Sequence, residues 1–129
     1  MGKGTKLYSI LFNKCPRCQR GNFFLVNNPY NLKKFDQMNP RCSCCDERFE
    51  REPGYYTGAL YVSYAYYTAL IVSCFVIMEV VLDWDLVYFL SVLISLIIVL
   101  TPPVFRLARL SWINFFISYD AHKPTHCPE

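Results

Sequence analysis

Charge is missing from two long stretches of this 129-residue chain: no Asp, Glu, Lys or Arg falls between Pro53 and Met78, or between Leu86 and Phe105. The hydrocarbon core of a bilayer is about 30 Å thick and takes about 20 apolar helical residues to cross. Both stretches reach that length, so two transmembrane helices are expected, and a single globular core is a poor description. Neither stretch holds an ionisable group, which argues against a pump or a proton-coupled carrier. Histidine is nearly absent, with His122 and His126 both in the C-terminal tail. No Ser/His/Asp grouping accompanies them, and a non-enzymatic protein is expected. An early apolar run long enough for a cleavable signal is lacking too, because Leu7 to Phe12 is short and interrupted by Ser9. Internal repeats are absent apart from a doubled cysteine pair, and no segment is low in complexity.

What is present is divided unevenly. Residues 1–52 carry ten Lys and Arg against five acidic side chains, a net charge of +5. The connection between the apolar stretches offers only Glu79, Asp83 and Asp85, while Arg106 and Arg109 follow the second stretch. Short loops rich in Lys and Arg stay on the cytoplasmic side. Both termini are therefore expected to face the cytoplasm, a reducing compartment in which cysteines serve as metal ligands more often than as disulfides. Three pieces follow: a soluble head (1–52), a helical hairpin (53–102, with spans at about 56–78 and 86–101), and a C-terminal piece (103–129). Within the head, Leu7 to Phe12 and Gly21 to Val26 read as short strands flanking the first cysteine pair.

The head contains Cys15-Pro-Arg-Cys18 and Cys42-Ser-Cys-Cys45, two C-x2-C pairs separated by 23 residues. Each such turn sets two sulfurs on one side of a tight knuckle, and two knuckles close a tetrahedron around zinc. The usual interval is about 15–20 residues, so a loop around Asn27 to Asp36 has to take up the excess. One zinc ion per chain, held by Cys15, Cys18, Cys42 and Cys45, is the expected cofactor; iron in a rubredoxin-like site is the alternative. So small a head cannot bury a substantial core, and metal binding would supply much of its folding free energy, about 10–16 kcal/mol by analogy with zinc-finger peptides. The residue after a knuckle's second cysteine often takes a left-handed backbone. Gln19 and Asp46 occupy that position, and Asp tolerates it better than Gln. Cys44 is left spare, and Cys74 reads as a small apolar residue of the first span. His122, His126 and Cys127 read as a solvated terminus, with a second metal site as the alternative.

The spans carry small residues at helical spacing: Ala59 with Ser63, Ala65 with Ala69, Ala69 with Ser73, and Ser91 with Ser95. Such pairs let helices approach closely, either within the hairpin or against a larger membrane partner. Tyr55 and Tyr56 suit interface anchoring, whereas Tyr64, Tyr66 and Tyr67 lie deeper and want hydrogen-bond partners, which points to a protein surface there. Thr101-Pro102-Pro103 reads as an N-cap followed by prolines in the first turn of a third helix. The segment VFRLARLSWINFFISY that follows has a wide apolar surface with Arg106, Arg109 and Trp112. An amphipathic helix lying in the membrane interface, its arginines among lipid phosphates, is expected; a proline-kinked extension of the second span is the alternative.

The succession CPRC, CSCCDERFEREPGYYTGALYVSY, a span, and RLARLSWINFFISYD resembles a bacterial family of small membrane proteins known as domain of unknown function family 983. In that family a C-P-x-C-G knuckle precedes a C-x-x-C-G-x-x-F-E knuckle. A Glu-Pro-Gly-aromatic and Gly-Ala-x-Tyr-x-Ser-Tyr sequence then leads into the first span. The resemblance implies ribbon roles for Cys15, Cys18, Cys42 and Cys45, and a lead-in motif of Phe49, Glu50, Pro53, Gly54, Gly58, Ala59, Tyr61, Ser63 and Tyr64. Gln19 and Asp46 depart from the usual glycines, and Cys44 is additional. Fold and topology are implied by the resemblance, but no activity; an association of the family with oxidase and assembly genes implies a respiratory setting.

The expected architecture is thus a membrane protein with a four-cysteine zinc-ribbon head, a two-helix transmembrane hairpin and a C-terminal amphipathic helix. The expected function is a non-enzymatic accessory or assembly subunit in the bacterial inner membrane, docked on a larger integral membrane complex, respiratory or secretory. Ala59, Ser63, Tyr64, Ala69, Ser73, Ser91 and Ser95 are its candidate packing positions. A redox or metal-handling protein with an exchangeable metal is the first alternative. A membrane-tethered nucleic-acid or ribosome-binding module is the second, prompted by the basic head; topology alone accounts for those charges, and nucleic acid is not the expected partner.

Overall fold

The computed structural model describes residues 4–83, 85–122, 126 and 127. A short helix α1 (Lys6–Leu11) opens the head. Helix α2 (Thr57–Ile77) passes without a break into a π-helical turn, Met78–Leu82. Asp83 then takes a left-handed φ of 45° and donates its N–H to Met78 O, closing the turn. After this reversal α3 (Leu86–Phe116) runs back along α2, and its far end also packs on α1.

Both Thr57–Leu82, of 26 residues, and Leu86–Phe116, of 31, are long and apolar enough to cross a membrane. Only 6% of the most apolar stretch of each is buried, unlike the core helix of a soluble protein. Their polar side chains are satisfied within the helices. The hydroxyls of Thr68, Ser73, Ser91, Ser95 and Thr101 each donate to the carbonyl four residues back, which suits a medium with no water to bond. At 1.5 Å per residue α3 is about 46 Å long, roughly 16 Å more than a hydrocarbon core needs. The surplus begins at Arg106, and burial concentrates there: after Pro102, the buried residues of α3 are Arg106, Ala108, Leu110, Ser111, Ile113 and Asn114.

The expected separate helix after Pro102 is therefore corrected: α3 is continuous, with Pro102 and Pro103 inside it. Thr101 does not cap a new helix; its hydroxyl bonds backward to Ile97 O and receives the Tyr67 hydroxyl from α2. The prolines cost the carbonyls of Ile98 and Val99 their helical donors, and packing on α2 and the head holds the axis together. Two strand expectations are corrected too. Leu7 to Phe12 lies mostly in α1, and Gly21 to Val26 contributes isolated bridges, not a ladder.

The head wraps around one compact core. Phe23, Phe24 and Phe49 are fully buried among the cysteines, and Leu110, Ile113 and Ile117 join them from the end of α3. Phe23 stands 5.0 Å from Phe24 and 4.6 Å from Phe49, centroid to centroid. Head and helices thus share a core and meet as one unit.

Candidate metal centre

Two tight turns carry the candidate site, each bracketed by an antiparallel bridge: Lys14 with Asn22 around the first, Arg41 with Arg48 around the second. In both, the backbone folds back in the same way. Gln19 N–H donates to Cys15 O, and Asp46 N–H donates to Cys42 O. Gln19 and Asp46 adopt the expected left-handed backbone, with φ of 53° and 55°. Gln19 uses its side chain there: its Oε1 accepts from Gly4 N–H at 2.6 Å, and its Nε2 donates to Thr5 O at 2.8 Å. That ties the N-terminal segment to the knuckle and explains what a glycine could not do at this position.

The sulfurs of Cys15, Cys18, Cys42 and Cys45, all buried, lie within 4.8 Å of one another. Cys15 Sγ is 3.8 Å from Cys45 Sγ, and Cys18 Sγ is 3.6 Å from Cys42 Sγ. A tetrahedral site with metal–sulfur bonds of about 2.3 Å has edges of about 3.8 Å. The four thiols therefore fit a single tetrahedral ion. Backbone N–H groups face the sulfurs: those of Arg17 and Cys18 at Cys15, of Gly21 and Arg20 at Cys18, of Glu47 at Cys45, and of Cys44 at Cys42. Such donors favour thiolates over thiols. Gly21 is required here by proximity, because a Cβ would lie 2.5 Å from Cys42 Sγ.

Ionisation within the cluster is unequal. Contacts with Cys18 and Cys42, then burial, push the Cys15 thiol up; the thiols of Cys15 and Cys42 hold Cys18 well below the usual range. Burial pushes Cys45 up to about 12. Thiol contacts and burial thus work against ionising Cys15, and burial against ionising Cys45, and a bound cation would favour their thiolate forms. Just outside the sulfurs, Glu47 joins the knuckles. Its carboxylate accepts from Arg17 at 2.5 Å and from Arg51 at 3.3 Å, and the first of these hydrogen bonds, with the Glu47 charge behind it, raises the pKa of Arg17.

The family described as a protein of unknown function, DUF983, matches residues 32–116. The chain belongs to that family. No curated protein and no solved structure matches it. The segment shared with DUF983 contains the second knuckle and both long helices; Cys15 and Cys18 lie before it.

Within that DUF983 segment, residues expected to touch lipid turn inward. Arg106, expected at the membrane surface, is corrected: it is 6% exposed and reaches into the head. Its Nε donates to Phe35 O at 3.0 Å, its Nη1 to Val26 O at 2.6 Å and Asn27 O at 3.1 Å, and it lies over the Phe24 ring. Arg109 stacks on Phe105 and Tyr56 and reaches Asp36 O. Trp112 donates its indole N–H to Tyr55 O at 2.9 Å, with its ring over Gly58, where a Cβ would collide with it. The three carbonyls explain the burial of Arg106, since they form a ready acceptor set that lipid phosphates would only duplicate.

The candidate packing positions divide. Ala59 is buried and Ser63 half-buried, while Tyr64, Ala69, Ser73, Ser91 and Ser95 face outward. Of the deep tyrosines, Tyr66 bonds Ser111 at 2.8 Å and Tyr67 bonds Thr101, so these find partners inside the hairpin. Tyr61 and Tyr64 remain exposed.

The expectations that Cys44 is spare and that Cys127 belongs to a loose terminus are corrected, because the tail folds back onto the second knuckle. Cys44 forms a disulfide with Cys127, 83 residues away, and His126 N–H donates to Cys44 O at 3.0 Å. Asp120 N–H donates to Arg17 O, so the tail after α3 returns to both knuckles. The signal available was arithmetic: a cysteine surplus to the tetrahedron and another in the tail.

Proposed function

We propose that this DUF983 protein is a zinc-bearing accessory or assembly subunit of a larger bacterial inner-membrane complex, with no catalytic role of its own. The observation that carries this reading is the single core shared by the sulfur tetrahedron and the end of α3. A metal site so placed fixes the shape and angle of the head on its membrane anchor. Closed four-thiolate coordination leaves no open position for chemistry, as in structural zinc sites. The exposed Ala69 and Ser73 of α2, and Ser91 and Ser95 of α3, support docking on an integral membrane partner, respiratory or secretory, because small residues with self-satisfied hydroxyls let another helix approach. Lys and Arg in the head and at the end of α3 support cytoplasmic termini, against which stands the Cys44–Cys127 disulfide, a bond that a reducing compartment opens.

Affinity purification of the full chain in mild detergent, with mass spectrometry and metal analysis of one sample, tests this. One zinc per chain and a co-purifying integral membrane protein are expected. A monomer that emerges alone, or a red protein with one iron per chain, defeats the reading.

Metal handling under thiol control is a second reading, favoured by the Cys44–Cys127 disulfide beside the cluster. Reduction of that bond by a dithiol gives two thiols next to Cys42 and Cys45, available to compete for the ion. Faster transfer of metal to a chelator after reduction, abolished in Cys44→Ser, is expected on this reading alone.

A further inference from the structure

Between α1, the first turns of α2 and the last turns of α3 lies a cavity of about 250 Å³. Val62 and Phe115 form apolar wall, Tyr66, Ser111 and Asn114 supply polar atoms, and Lys6 stands at the side of α1. Its depth matters. Tyr66, the tenth residue of α2, reaches toward Ser111, which lies beyond Arg106 in α3, so the cavity opens where the uncharged part of α3 gives way to the head. If the hairpin spans a membrane, phospholipid head groups occupy that level.

The polar atoms are incompletely used. Asn114 is 3% exposed, and its Nδ2 donates to Leu110 O at 2.7 Å and to Ser9 Oγ at 3.3 Å. Those acceptors fix the orientation of the carboxamide, and its buried Oδ1 has no donor among the described residues. A buried acceptor without a donor is costly, and native proteins rarely leave one. Tyr66 OH and Ser111 Oγ share one hydrogen bond, which uses one of their two protons. Lys6 has no acidic partner among the described residues, and no carboxylate lines the cavity. Leu7, Leu11 and Phe12, in and just after α1, each expose more than half their surface beside it.

We propose that this cavity holds the head group of an anionic phospholipid that carries a hydroxyl. The phosphate answers the lone ammonium of Lys6 and accepts from the free hydroxyl proton; the head-group hydroxyl donates to the oxygen of Tyr66 or Ser111, each of which keeps a free lone pair; the apolar part follows Val62 and Phe115 into the bilayer. A choline head group offers no donor, and free phosphate has nothing for the apolar wall. Together with the exposed face of α1, a lipid held here seats the head on the membrane surface. The proposal rests on the membrane reading above.

Native mass spectrometry of the metal-loaded full chain in detergent, with phosphatidylglycerol, phosphatidylcholine or inorganic phosphate added, tests it. Phosphatidylglycerol is expected to be retained in preference to phosphatidylcholine. Lys6→Gln is expected to lower its retention about fivefold, the factor for one lysine at an anionic surface, and Tyr66→Phe, which keeps the ring, to lower it as well. Equal retention of both lipids, retention unchanged in both variants, or displacement by inorganic phosphate overturns the proposal. Resistance of the chain to alkaline extraction from membranes is measured in parallel. Extraction of the wild type would remove the membrane reading and this proposal with it, whereas a chain that stays in the membrane without lipid preference removes this proposal alone.

Discussion

Around Cys15 and Cys42 the backbone has little regular structure, one six-residue helix and isolated bridges among the described residues, yet Cys15, Phe23, Phe24 and Phe49 are completely enclosed. The paired helices are the reverse: their backbone is regular from Thr57 to Leu82 and from Leu86 to Phe116, and most side chains along them are exposed. Order in the head comes from side chains that cross-link an irregular chain. Order in the hairpin comes from backbone hydrogen bonds within each helix, which an apolar surrounding would make obligatory. The head is held by an enclosed core and the hairpin by its backbone, and they should fail under different insults.

Metal removal should separate them most sharply. Cys15→Ser or Cys42→Ser, or exhaustive chelation, takes away a term of about 10–16 kcal/mol by analogy with zinc fingers. The head should become protease-sensitive before Thr57 while far-ultraviolet helicity of the detergent-bound hairpin stays nearly intact. A head equally resistant without its metal would break the comparison.

Matched aromatic truncations come next. Phe23→Ala, in the enclosed core, should cost about 3–5 kcal/mol, measured as a fall in the denaturation midpoint of the head. Phe75→Ala, half exposed on α2, should change that midpoint by less than about 0.5 kcal/mol. Similar losses at both positions would mean that the hairpin carries a core of its own.

The seam offers a third test. Arg106→Leu removes a charged donor from three carbonyls, and hydrogen bonds to charged groups are worth about 1.5–3 kcal/mol. Hydrogen exchange should rise in Val26 to Phe35, whose carbonyls lose their partner, and remain unchanged in the middle of α2.

Much of this division was legible in the sequence, for physical reasons. Two uncharged runs are long enough to cross a hydrocarbon layer, and Cys15-x2-Cys18 with Cys42-x2-Cys45 is the spacing that knuckles need. Local strain was legible too, at Gln19 and Asp46. What stayed hidden depended on distant partners. Pro102 and Pro103 look like a helix start, and only Tyr67 packing on Thr101 from α2 shows that the helix continues. Arg106 looks like an interfacial cation, because nothing nearby in sequence announces the carbonyls of Val26, Asn27 and Phe35, more than seventy residues earlier. The partner of Cys44 lies 83 residues away.

The smallest effect compares the two knuckles within the head. Both Gln19 and Asp46 hold a left-handed backbone, which costs an L-residue about 1–2 kcal/mol that glycine avoids. Asp46 has little to set against that cost: its carboxylate meets Arg41 at 3.0 Å in an exposed pair, and such pairs contribute about 0–1 kcal/mol. Gln19 is buried and makes two hydrogen bonds to Gly4 and Thr5, each worth about 0.5–1.5 kcal/mol. Asp46→Gly should therefore stabilise the head by about 0.5–1 kcal/mol, and Gln19→Gly should leave it unchanged or weaken it, both read from chemical denaturation of the metal-loaded chain. If Gln19→Gly stabilised as much as Asp46→Gly, the clasp on the N-terminal segment would contribute nothing, and backbone strain alone would distinguish this head from a ribbon with glycines in both knuckles.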